Sequence, residues 1–305
     1  MRIGIIGTGA MGTHHLRIVR SLAPLRLAAA ADIEPGRLSQ VGAAYAIPVF
    51  SDFRDLAPAV DAVMVATPTR LHHQVARFFL EQGKHVLIEK PITVTLAEAD
   101  DLIQLAAQRE LTLAVGHVER FNPALAAIAP LVRRPRFMEC QRLGPFSPRS
   151  LDIDVILDLM IHDLDIILHW DHSPVREIRA LGIPVVSARI DIANARLEFA
   201  SGLVANVTAS RISQQKIRQL RIFQPNQYIS LDYQRRSAKV ISLAGQQIQE
   251  HHPTVETDEP LARMWSAFQR SVTAGSGESV SGEQARRALE LAQRIGAAIQ
   301  NGREP

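Results

Sequence analysis

The sequence predicts an α/β protein of two domains, and three observations support this prediction. The chain has 305 residues, which is more than the roughly 100–150 residues of an ordinary domain. Short apolar runs alternate with helical patterns up to about residue 120, as in a parallel sheet. Consecutive strand-like runs then follow one another, which is typical of an antiparallel or mixed sheet. We therefore expect domains at residues 1–119 and 120–305.

The elements of the first half are predicted from apolar periodicity. Each strand is a short apolar run, and each helix repeats apolar residues three or four positions apart. Pro35 stands at the first-turn position that helices favour. The predicted strands are 2–6, 25–31, 61–66, 85–88 and 111–115, and the predicted helices are 10–21, a stretch after Pro35, 71–82 and 95–109.

The second half is predicted to begin with one long helix, at 151–170, and to end with two more. Turn signals such as Ser201-Gly202 separate the strand-like runs between these helices. The predicted strands are 176–186, 190–200, 203–210, 216–223, 227–233 and 238–243, and the closing helices are 258–273 and 281–299.

The composition argues against several classes of function. There are 34 basic and 31 acidic residues, and such a balance does not indicate nucleic-acid binding. No apolar run approaches the ~18–20 residues of a membrane helix. Cys140 is the single cysteine, which favours a reducing compartment, and we expect a cytoplasmic protein. The arginines that gather between 133 and 149 suit an acidic small-molecule substrate, although a solvated basic face is their more ordinary use; they are Arg133, Arg134, Arg136, Arg142 and Arg149.

A glycine motif, Gly7-Thr8-Gly9-Ala10-Met11-Gly12, directly follows the first predicted strand and opens a helix. In that context Gly7 permits a tight turn, Gly9 lets the backbone approach a pyrophosphate, and Gly12 lets helix and strand pack closely. The free N–H groups at the start of the helix attract phosphate charge. The alternative is a merely glycine-rich turn.

Asp32 favours the first interpretation, a Rossmann-type dinucleotide site. It ends the second predicted strand, twenty positions after Gly12, where a carboxylate can accept hydrogen bonds from the adenosine ribose. NAD is therefore preferred to NADP as the cofactor. Arg37 is the exception to this argument, because it is close enough in sequence to pair with a 2′-phosphate.

Three further motifs carry a family resemblance. They are Ala66-Thr67-Pro68 with His72, Glu89-Lys90-Pro91, and Asp158-Leu159-Met160-Ile161-His162 with Asp165. Together with the glycine motif, their order and spacing resemble the Gfo/Idh/MocA family of sugar oxidoreductases. The resemblance implies a Rossmann domain followed by an α+β domain with a large, open, mostly antiparallel sheet. In that family the second sheet commonly serves in homo-oligomer contacts.

The resemblance also implies roles for individual residues. Lys90 corresponds to the lysine beside the nicotinamide and the substrate hydroxyl, and Asp158 and His162 correspond to the pair on the substrate-domain helix. Residues 116–123 (GHVERFNP) and 158–168 (DLMIHDLDIIL) are similar to the branch that acts on UDP-N-acetylglucosamine and its uronic acid relatives. That likeness implies oxidation of a UDP-N-acetylhexosamine at its 3-position. Its substrate contacts are expected at Arg120, Asn122 and Asp165.

These residue types suit the oxidation of a sugar hydroxyl, in which a hydride leaves carbon and a proton leaves oxygen. A histidine ordinarily titrates near pH ~6.5 and a lysine near ~10.4. We therefore assign His162 as the base and Lys90 as the donor that holds the hydroxyl, with the roles exchanged if burial lowers the lysine pKa. Asp158, His162 and Asp165 are spaced to share one helix face. A structural network on that face is the alternative.

The remaining polar candidates are weaker. Thr67 and Pro68 shape a turn at the carboxyl end of a strand, where ligands of open α/β sheets bind. His72 and Glu89 are assigned to the cofactor pocket, although a surface histidine and a strand-end acid are the ordinary readings. No zinc-type ligand pattern accompanies Asp158, and we expect no metal. The histidines without a supporting pattern are expected to be surface or structural residues: His14, His15, His169, His172, His251 and His252.

Two other functions stay open. One is oxidation of a free polyol or sugar such as an inositol, and the other is a dinucleotide sensor without catalysis. A sensor has no need for the set formed by Lys90, Asp158 and His162.

Overall fold

The computed structural model describes residues 1–147 and 153–302. The chain divides into two compact units, the first formed by Met1–Val118 with Glu259–Arg286 and the second by Glu119–Asp258 with Arg287–Pro305. This division differs from the predicted domains at 1–119 and 120–305, because the segment 259–286 returns to the first unit. Trp265 and Phe268 are fully buried there, and sequence order alone does not reveal such a return.

The first unit is built on a six-stranded parallel sheet with the order β3-β2-β1-β4-β5-β6. That order belongs to the Rossmann fold, and ligands bind where the strand order reverses, outside the carboxyl ends of β1 and β4. Its elements are β1 (Arg2–Ile6), α1 (Ala10–Ser21), β2 (Arg26–Ala31), α2 (Pro35–Tyr45), β3 (Val49–Phe50), β4 (Ala62–Val65), α3 (His72–Glu81), β5 (His85–Ile88), α4 (Leu96–Gln108), β6 (Leu113–Val115) and the returning α7 (Pro260–Ala274).

Local sequence explains most of these elements. All four residues of β4 (AVMV) are buried, as expected for a parallel strand covered on both faces. Thr95 and Glu98 form a reciprocal capping box at the start of α4. Pro35 occupies the first turn of α2, as predicted.

The second unit contains an eight-stranded sheet with the order β14-β13-β12-β11-β7-β10-β9-β8. All its pairings are antiparallel except β7 with β10. Its elements are α5 (Pro123–Ile128), β7 (Phe137–Leu143), α6 (Ile161–Trp170), β8 (Val175–Ile183), β9 (Ile192–Phe199), β10 (Val204–Ser210), β11 (Ile217–Gln224), β12 (Gln227–Asp232), β13 (Ser237–Ala244), β14 (Gln247–His251) and α8 (Gly282–Asn301). The division between units falls inside α8.

The predicted fold class is confirmed, and the structure adds the short strand β3 to the first sheet and two strands, β7 and β14, to the second. β7 was not predicted from the sequence. Its buried face carries Arg142 beside Met138 and Cys140, so the strand lacks the apolar alternation that identifies the other strands. β14 is exposed along its whole length and shows no alternation.

The long helix predicted at 151–170 is interrupted. A π-helical turn occupies Ile156–Met160 and the α-helix α6 begins only at Ile161. Residues 151 and 152 lie outside the described residues. Nowhere in the described ranges is a helix long and apolar enough to cross a membrane.

Candidate active site

The glycine motif forms a turn that only glycine fits at its two ends. Gly7 has φ +87°, and a Cβ there would lie 2.6 Å from the carbonyl oxygen of Ala66. A Cβ at Gly12 would lie 1.8 Å from the carbonyl oxygen of Gly7. Both glycines are therefore required by the packing of α1 against the turn, as the motif predicts.

Packing within the protein does not require glycine at position 9. A Cβ there would meet only the flexible tip of Arg37, at 3.8 Å. Gly9 also forms the N-cap of α1, and no side chain in the described part of the chain caps that helix. The first N–H groups of α1, which starts at Ala10, are thus left for another partner, and Met11 beside them is 41% exposed. Open space over uncapped N–H groups fits a dinucleotide pyrophosphate.

Asp32 lies at the end of β2 and is 8% exposed. Its Oδ2 accepts hydrogen bonds from the Thr8 backbone N–H at 2.6 Å and the Thr8 hydroxyl at 2.9 Å, and its Oδ1 accepts from the Glu34 N–H at 2.9 Å. Burial opposes ionisation, but these hydrogen bonds and the charge of Arg37 outweigh it and lower the pKa of Asp32. The carboxylate is thereby fixed beside the glycine turn.

Arg37 places its Nη1 3.7 Å from Asp32 Oδ2, and its side chain is about half exposed. Its guanidinium can therefore partly neutralise Asp32 at the position where adenosine ribose would bind. The geometry fits a dinucleotide and leaves the choice between NAD and NADP to these two side chains.

The turn after β4 is tied to the segment after β5 by His72. The His72 ring is 1% exposed, and its Nδ1 and Nε2 each lie 2.9 Å from a carbonyl oxygen, of Pro91 and Thr67 respectively. Burial lowers the pKa of His72, opposed by these two contacts and by the charge of Glu89. His72 is therefore an internal brace, and the alternative of a surface histidine does not hold.

Thr67 and Pro68 form the turn that His72 braces. The hydroxyl oxygen of Thr67 is buried and has no hydrogen-bond partner among the residues described. A buried hydroxyl without a partner is costly. Its position at the carboxyl edge of the sheet fits a contact to a bound ligand, and Pro68 beside it is exposed.

Glu89 and Lys90 follow β5. Glu89 is buried, and its Oε1 lies 2.9 Å from the Nε2 of His15. Its Oε2 accepts the backbone N–H of Lys90 at 3.1 Å. His15 is fully buried and also accepts a hydrogen bond from the indole of Trp265 at 3.0 Å. Sequence reasoning found no pattern around His15 because Trp265 is 250 positions away.

In the second unit, Asp158 lies in the π-helical turn and His162 in the first turn of α6. Both residues are half-buried, whereas the flanking Ile161 and Asp163 are buried. Asp158 and His162 therefore occupy partly accessible positions on a mostly buried helix.

Asp165 does not share that accessibility. It is 1% exposed and forms a bidentate pair with Arg120, with nitrogen–oxygen distances of 2.7 and 2.9 Å. Arg120 also donates to the Nδ1 of His169 at 2.7 Å. Burial and the neighbouring guanidinium lower the pKa of His169 to about 4. The predicted substrate contacts Arg120 and Asp165 thus neutralise each other within the second unit.

Asn122, another predicted substrate contact, makes hydrogen bonds within the second unit. Its Oδ1 accepts the N–H of Ala124 and caps α5, and its Nδ2 donates to Glu119 and to the carbonyl of Tyr233. The residue is 3% exposed, so its amide is engaged inside the unit.

A buried ion-pair cluster was missed by sequence reasoning. Arg142, 2% exposed, pairs with both oxygens of Asp163 at 2.9 and 3.0 Å and with Glu119 at 2.8 Å. Arg218 stands directly opposite Arg142 on β11 and lies 3.5 Å from the same Glu119 oxygen. Burial disfavours the charge of Arg142, but Asp163 and Glu119 outweigh it and raise the pKa of Arg142 well above its ordinary value.

The arginines between 133 and 149 do not form one anion site. Arg142 is committed to the buried cluster, Arg133, Arg134 and Arg136 are exposed, and Arg149 lies outside the described residues. Across residues 1–147 and 153–302, no group of three or more His, Cys, Asp and Glu side chains is placed to hold a metal ion.

The fold and the glycine turn are those of a dinucleotide-binding domain, and comparison with known proteins gives the class and the family. The family model described as oxidoreductase family, NAD-binding Rossmann fold (Gfo/Idh/MocA), matches residues 1–117. UDP-N-acetylglucosamine 3-dehydrogenase of Acidithiobacillus ferrooxidans is 41% identical over 234 residues, covering 76% of this chain and 74% of the relative. The chain belongs to the Gfo/Idh/MocA family of oxidoreductases.

Two further comparisons extend the likeness. The solved structure of the Acidithiobacillus ferrooxidans enzyme matches with a TM-score of 0.94 and 35% identity, covering 99% of this chain and 98% of that one. Myo-inositol 2-dehydrogenase of Thermotoga maritima is 28% identical over 230 residues, 69% of each chain. The predicted family and the predicted fold class are confirmed.

Proposed function

We propose that this protein is an NAD-dependent dehydrogenase that oxidises a ring hydroxyl of a UDP-N-acetylhexosamine, at the 3-position, to a keto sugar. The observation that carries the proposal is the similarity to the UDP-N-acetylglucosamine 3-dehydrogenase structure over 99% of this chain. The motif residues Lys90, Asp158 and His162 are all present, and a sensor without catalysis would not need them.

The dinucleotide would be held by the backbone around Gly7, Gly9 and Gly12, with Asp32 at its ribose and Thr67 at the nicotinamide-proximal turn. When bound, the nicotinamide supplies the hydride acceptor. The glycine turn fits this group because Gly9 leaves open space above uncapped N–H groups. Asp32 supports NAD, since a fixed carboxylate repels a 2′-phosphate.

The chain's own residues handle the proton. We assign His162 to accept the hydroxyl proton at a ring nitrogen, and Lys90 to hold the hydroxyl oxygen and stabilise the negative charge that develops there. Asp158 precedes His162 by four positions, on the same accessible stretch, and its carboxylate supports the histidine as it gains a proton. Lys90 belongs to the first unit, and Asp158 and His162 belong to the second. Each proposed role can be tested by substituting one residue at a time.

The test is a comparison of kcat/KM, read at the absorbance of reduced nicotinamide, for UDP-N-acetylglucosamine, UDP-glucose, free N-acetylglucosamine and myo-inositol. We expect the first substrate to be oxidised fastest, because binding energy of the remote nucleotide positions the ring carbon. Inositol or a free sugar outperforming both nucleotide sugars would replace the proposal with its main alternative, a polyol dehydrogenase. No oxidation of any substrate, with NAD still bound, would favour the sensor.

The catalytic roles are tested by Lys90→Met and His162→Ala. Each variant should lose turnover by roughly 10²- to 10⁴-fold, the usual contribution of an acid–base group, while NAD affinity and melting temperature stay close to wild type. His172→Ala is the control, because His172 is an exposed histidine of the second unit and should turn over normally. Near-normal turnover of Lys90→Met or His162→Ala would refute that residue's assignment.

The choice of dinucleotide is tested by affinities of NAD and NADP for wild type and Asp32→Ala. Wild type should bind NAD more tightly than NADP. In the variant the ratio of the NADP to the NAD dissociation constant should fall about tenfold, which corresponds to the loss of one hydrogen bond to a charged group. A wild type that strongly prefers NADP would instead assign Arg37 to the 2′-phosphate.

We also propose that a second copy of the chain covers the outer face of the eight-stranded sheet. Phe223, 38% exposed, stacks there between Phe137 and Tyr228, at ring-centroid distances of 5.6 and 4.9 Å. The same face carries further exposed apolar side chains: Leu181, Ile183, Leu243 and Ile248. Phe223→Asp should lower the molar mass measured by light scattering.

A cytoplasmic location, based on the single cysteine, stays a prediction.

A further inference from the structure

A chain of three hydrogen bonds runs through the interior of the first unit and ends at Lys90. The Trp265 indole Nε1 lies 3.0 Å from His15 Nδ1, and His15 Nε2 lies 2.9 Å from Glu89 Oε1. The other oxygen of Glu89 accepts the Lys90 backbone N–H at 3.1 Å. Trp265 and His15 are fully buried and Glu89 is 8% exposed.

The chemistry of these groups fixes their protons. An indole N–H can only donate, so His15 Nδ1 must be the acceptor and carries no proton. The proton of the neutral ring therefore sits on Nε2, where it can only be donated to Glu89. Glu89 in turn accepts at both oxygens, which is the pattern of an ionised carboxylate. The indole thus selects the tautomer of His15 that is protonated at Nε2. That tautomer donates a hydrogen bond to Glu89 and so stabilises the ionised carboxylate.

Glu89 requires these donors because it is buried. Burial alone would raise the pKa of this carboxyl, but the hydrogen bond from His15 and the positive charge of Lys90 outweigh it and lower the pKa. The titratable groups that face Glu89 are His15, Lys90 and His72. A Cβ at Gly116 would lie 3.2 Å from Glu89 Oε2, so the glycine also leaves room for the carboxylate.

We propose that His15 and Trp265 are positioning residues that act through Glu89 on Lys90. They keep the carboxylate ionised and fixed in position, and the carboxylate in turn holds the backbone of Lys90 and attracts its ammonium group, where the sugar hydroxyl would bind. The inference rests on the catalytic role proposed for Lys90. It gives the returning segment 259–286 a function, because α7 supplies the residue that selects the His15 tautomer.

The decisive comparison is between His15→Leu and His15→Gln. Leucine removes the donor to Glu89, whereas the glutamine amide places an N–H close to the position of Nε2. We expect kcat to fall about 10- to 100-fold in His15→Leu, as for a catalytic group displaced by about 1 Å, with the KM for NAD within twofold of wild type. His15→Gln should recover at least half of that loss on a logarithmic scale.

Two controls accompany this pair. His14→Leu changes the exposed neighbouring histidine and should leave kcat unchanged. Trp265→Phe retains an aromatic ring but lacks the N–H, and it should lower kcat by a smaller factor, about 3- to 10-fold, because His15 can then exchange tautomers. Equal loss in His15→Leu and His15→Gln, or no loss in either, overturns the proposal.

A second measurement needs no substrate and so separates this inference from the proposed function. Lys90 is acylated with a limiting amount of acetic anhydride, and its modification is measured by mass spectrometry relative to Lys84. Because the Glu89 carboxylate accepts the Lys90 backbone N–H and fixes this segment, Glu89→Gln and His15→Leu should both loosen Lys90 and increase its relative reactivity, and His15→Gln should not.

If Lys90 reactivity responds in this way while no sugar is oxidised by wild type, the proposed function fails and the positioning arrangement stands. Unchanged reactivity in both Glu89→Gln and His15→Leu refutes the positioning arrangement, whatever the substrate.

Discussion

The two units of this protein hold their candidate site residues in place in different ways. The first unit relies on backbone, with Gly7 and Gly12 packed against main-chain atoms and Asp32 fixed by N–H groups. The second unit relies on buried pairs of opposite charge, with Arg142 on Asp163 and Arg120 on Asp165. The difference predicts opposite sensitivities, to added atoms in the first unit and to lost charges in the second.

The largest effect should come from adding one methyl group to the first unit. In Gly12→Ala the new Cβ would lie 1.8 Å from the Gly7 carbonyl oxygen, and main-chain atoms cannot move aside cheaply. We expect a loss of more than about 4 kcal/mol in unfolding free energy, the range of severe overpacking. Chemical denaturation followed by circular dichroism measures it.

Gly9→Ala is the matched control, because it adds the same methyl group where nothing lies closer than 3.8 Å. It should change stability by less than about 1 kcal/mol but weaken NAD binding. Similar stability of the two alanine variants would contradict the account of a backbone-packed turn.

The next effect should come from removing one charge in the second unit. Arg142→Met keeps much of the side-chain volume but leaves Asp163 and Glu119 buried without their shared partner, which should cost about 3–5 kcal/mol. Arg270→Met is the control, because Arg270 of α7 pairs with Glu278 at 2.6 Å and both side chains are about half exposed, and there the cost should be about 0–1 kcal/mol. Equal costs would mean that the buried cluster contributes no more than a surface pair.

The smallest effect concerns a single carboxylate in the second unit and depends on pH. Asp191 accepts the backbone N–H groups of Val185, Val186 and Ser187 at 2.7, 2.7 and 3.0 Å. Burial opposes its charge, but these bonds and the Ser187 hydroxyl lower its pKa. The stability it contributes is therefore present above the ordinary aspartate pKa of ~3.9 and is lost as the pH falls below it.

Asp191→Asn tests this dependence, since asparagine retains one acceptor oxygen but no charge. The variant should be less stable than wild type by on the order of 1 kcal/mol at pH 7. The gap should narrow progressively as the pH falls from about 4 toward about 2, when monitored by urea denaturation. If the difference in stability between wild type and variant did not change with pH, the charge of Asp191 would not be what holds the loop at residues 185–187.

The comparison of units also explains what the sequence could predict. The glycine turn is local, so the motif at residues 7–12, the alternation of strands with helices, and Asp32 could be read directly from the chain. The partners of the second unit are remote, with Arg120 and Asp165 45 positions apart. Arg120 and Asp165 were therefore predicted to face a substrate when each in fact has a protein partner. Arg142 was counted among exposed basic residues because a buried arginine leaves no periodic signal.

The spacing of Asp158, His162 and Asp165 predicted one shared helix face, but the three residues differ in burial. The π-helical turn at Ile156–Met160 also places an extra residue in the turn that carries Asp158, which the assumption of a regular helix does not include. The motif still identified two half-buried residues, Asp158 and His162, on a helix whose other predicted site residue, Asp165, is buried.

The return of α7 to the first unit has a consequence for how the protein is made. Trp265 follows the end of the unit's first segment, Val118, by about 150 residues, which at roughly 5–20 residues per second takes a ribosome about 7–30 s. During that interval the N-terminal segment holds His15 and Glu89 without the indole that completes their contacts. A nascent chain stalled after residue 258 should therefore remain protease-sensitive in this segment, and protection should arise only once α7 has emerged from the exit tunnel.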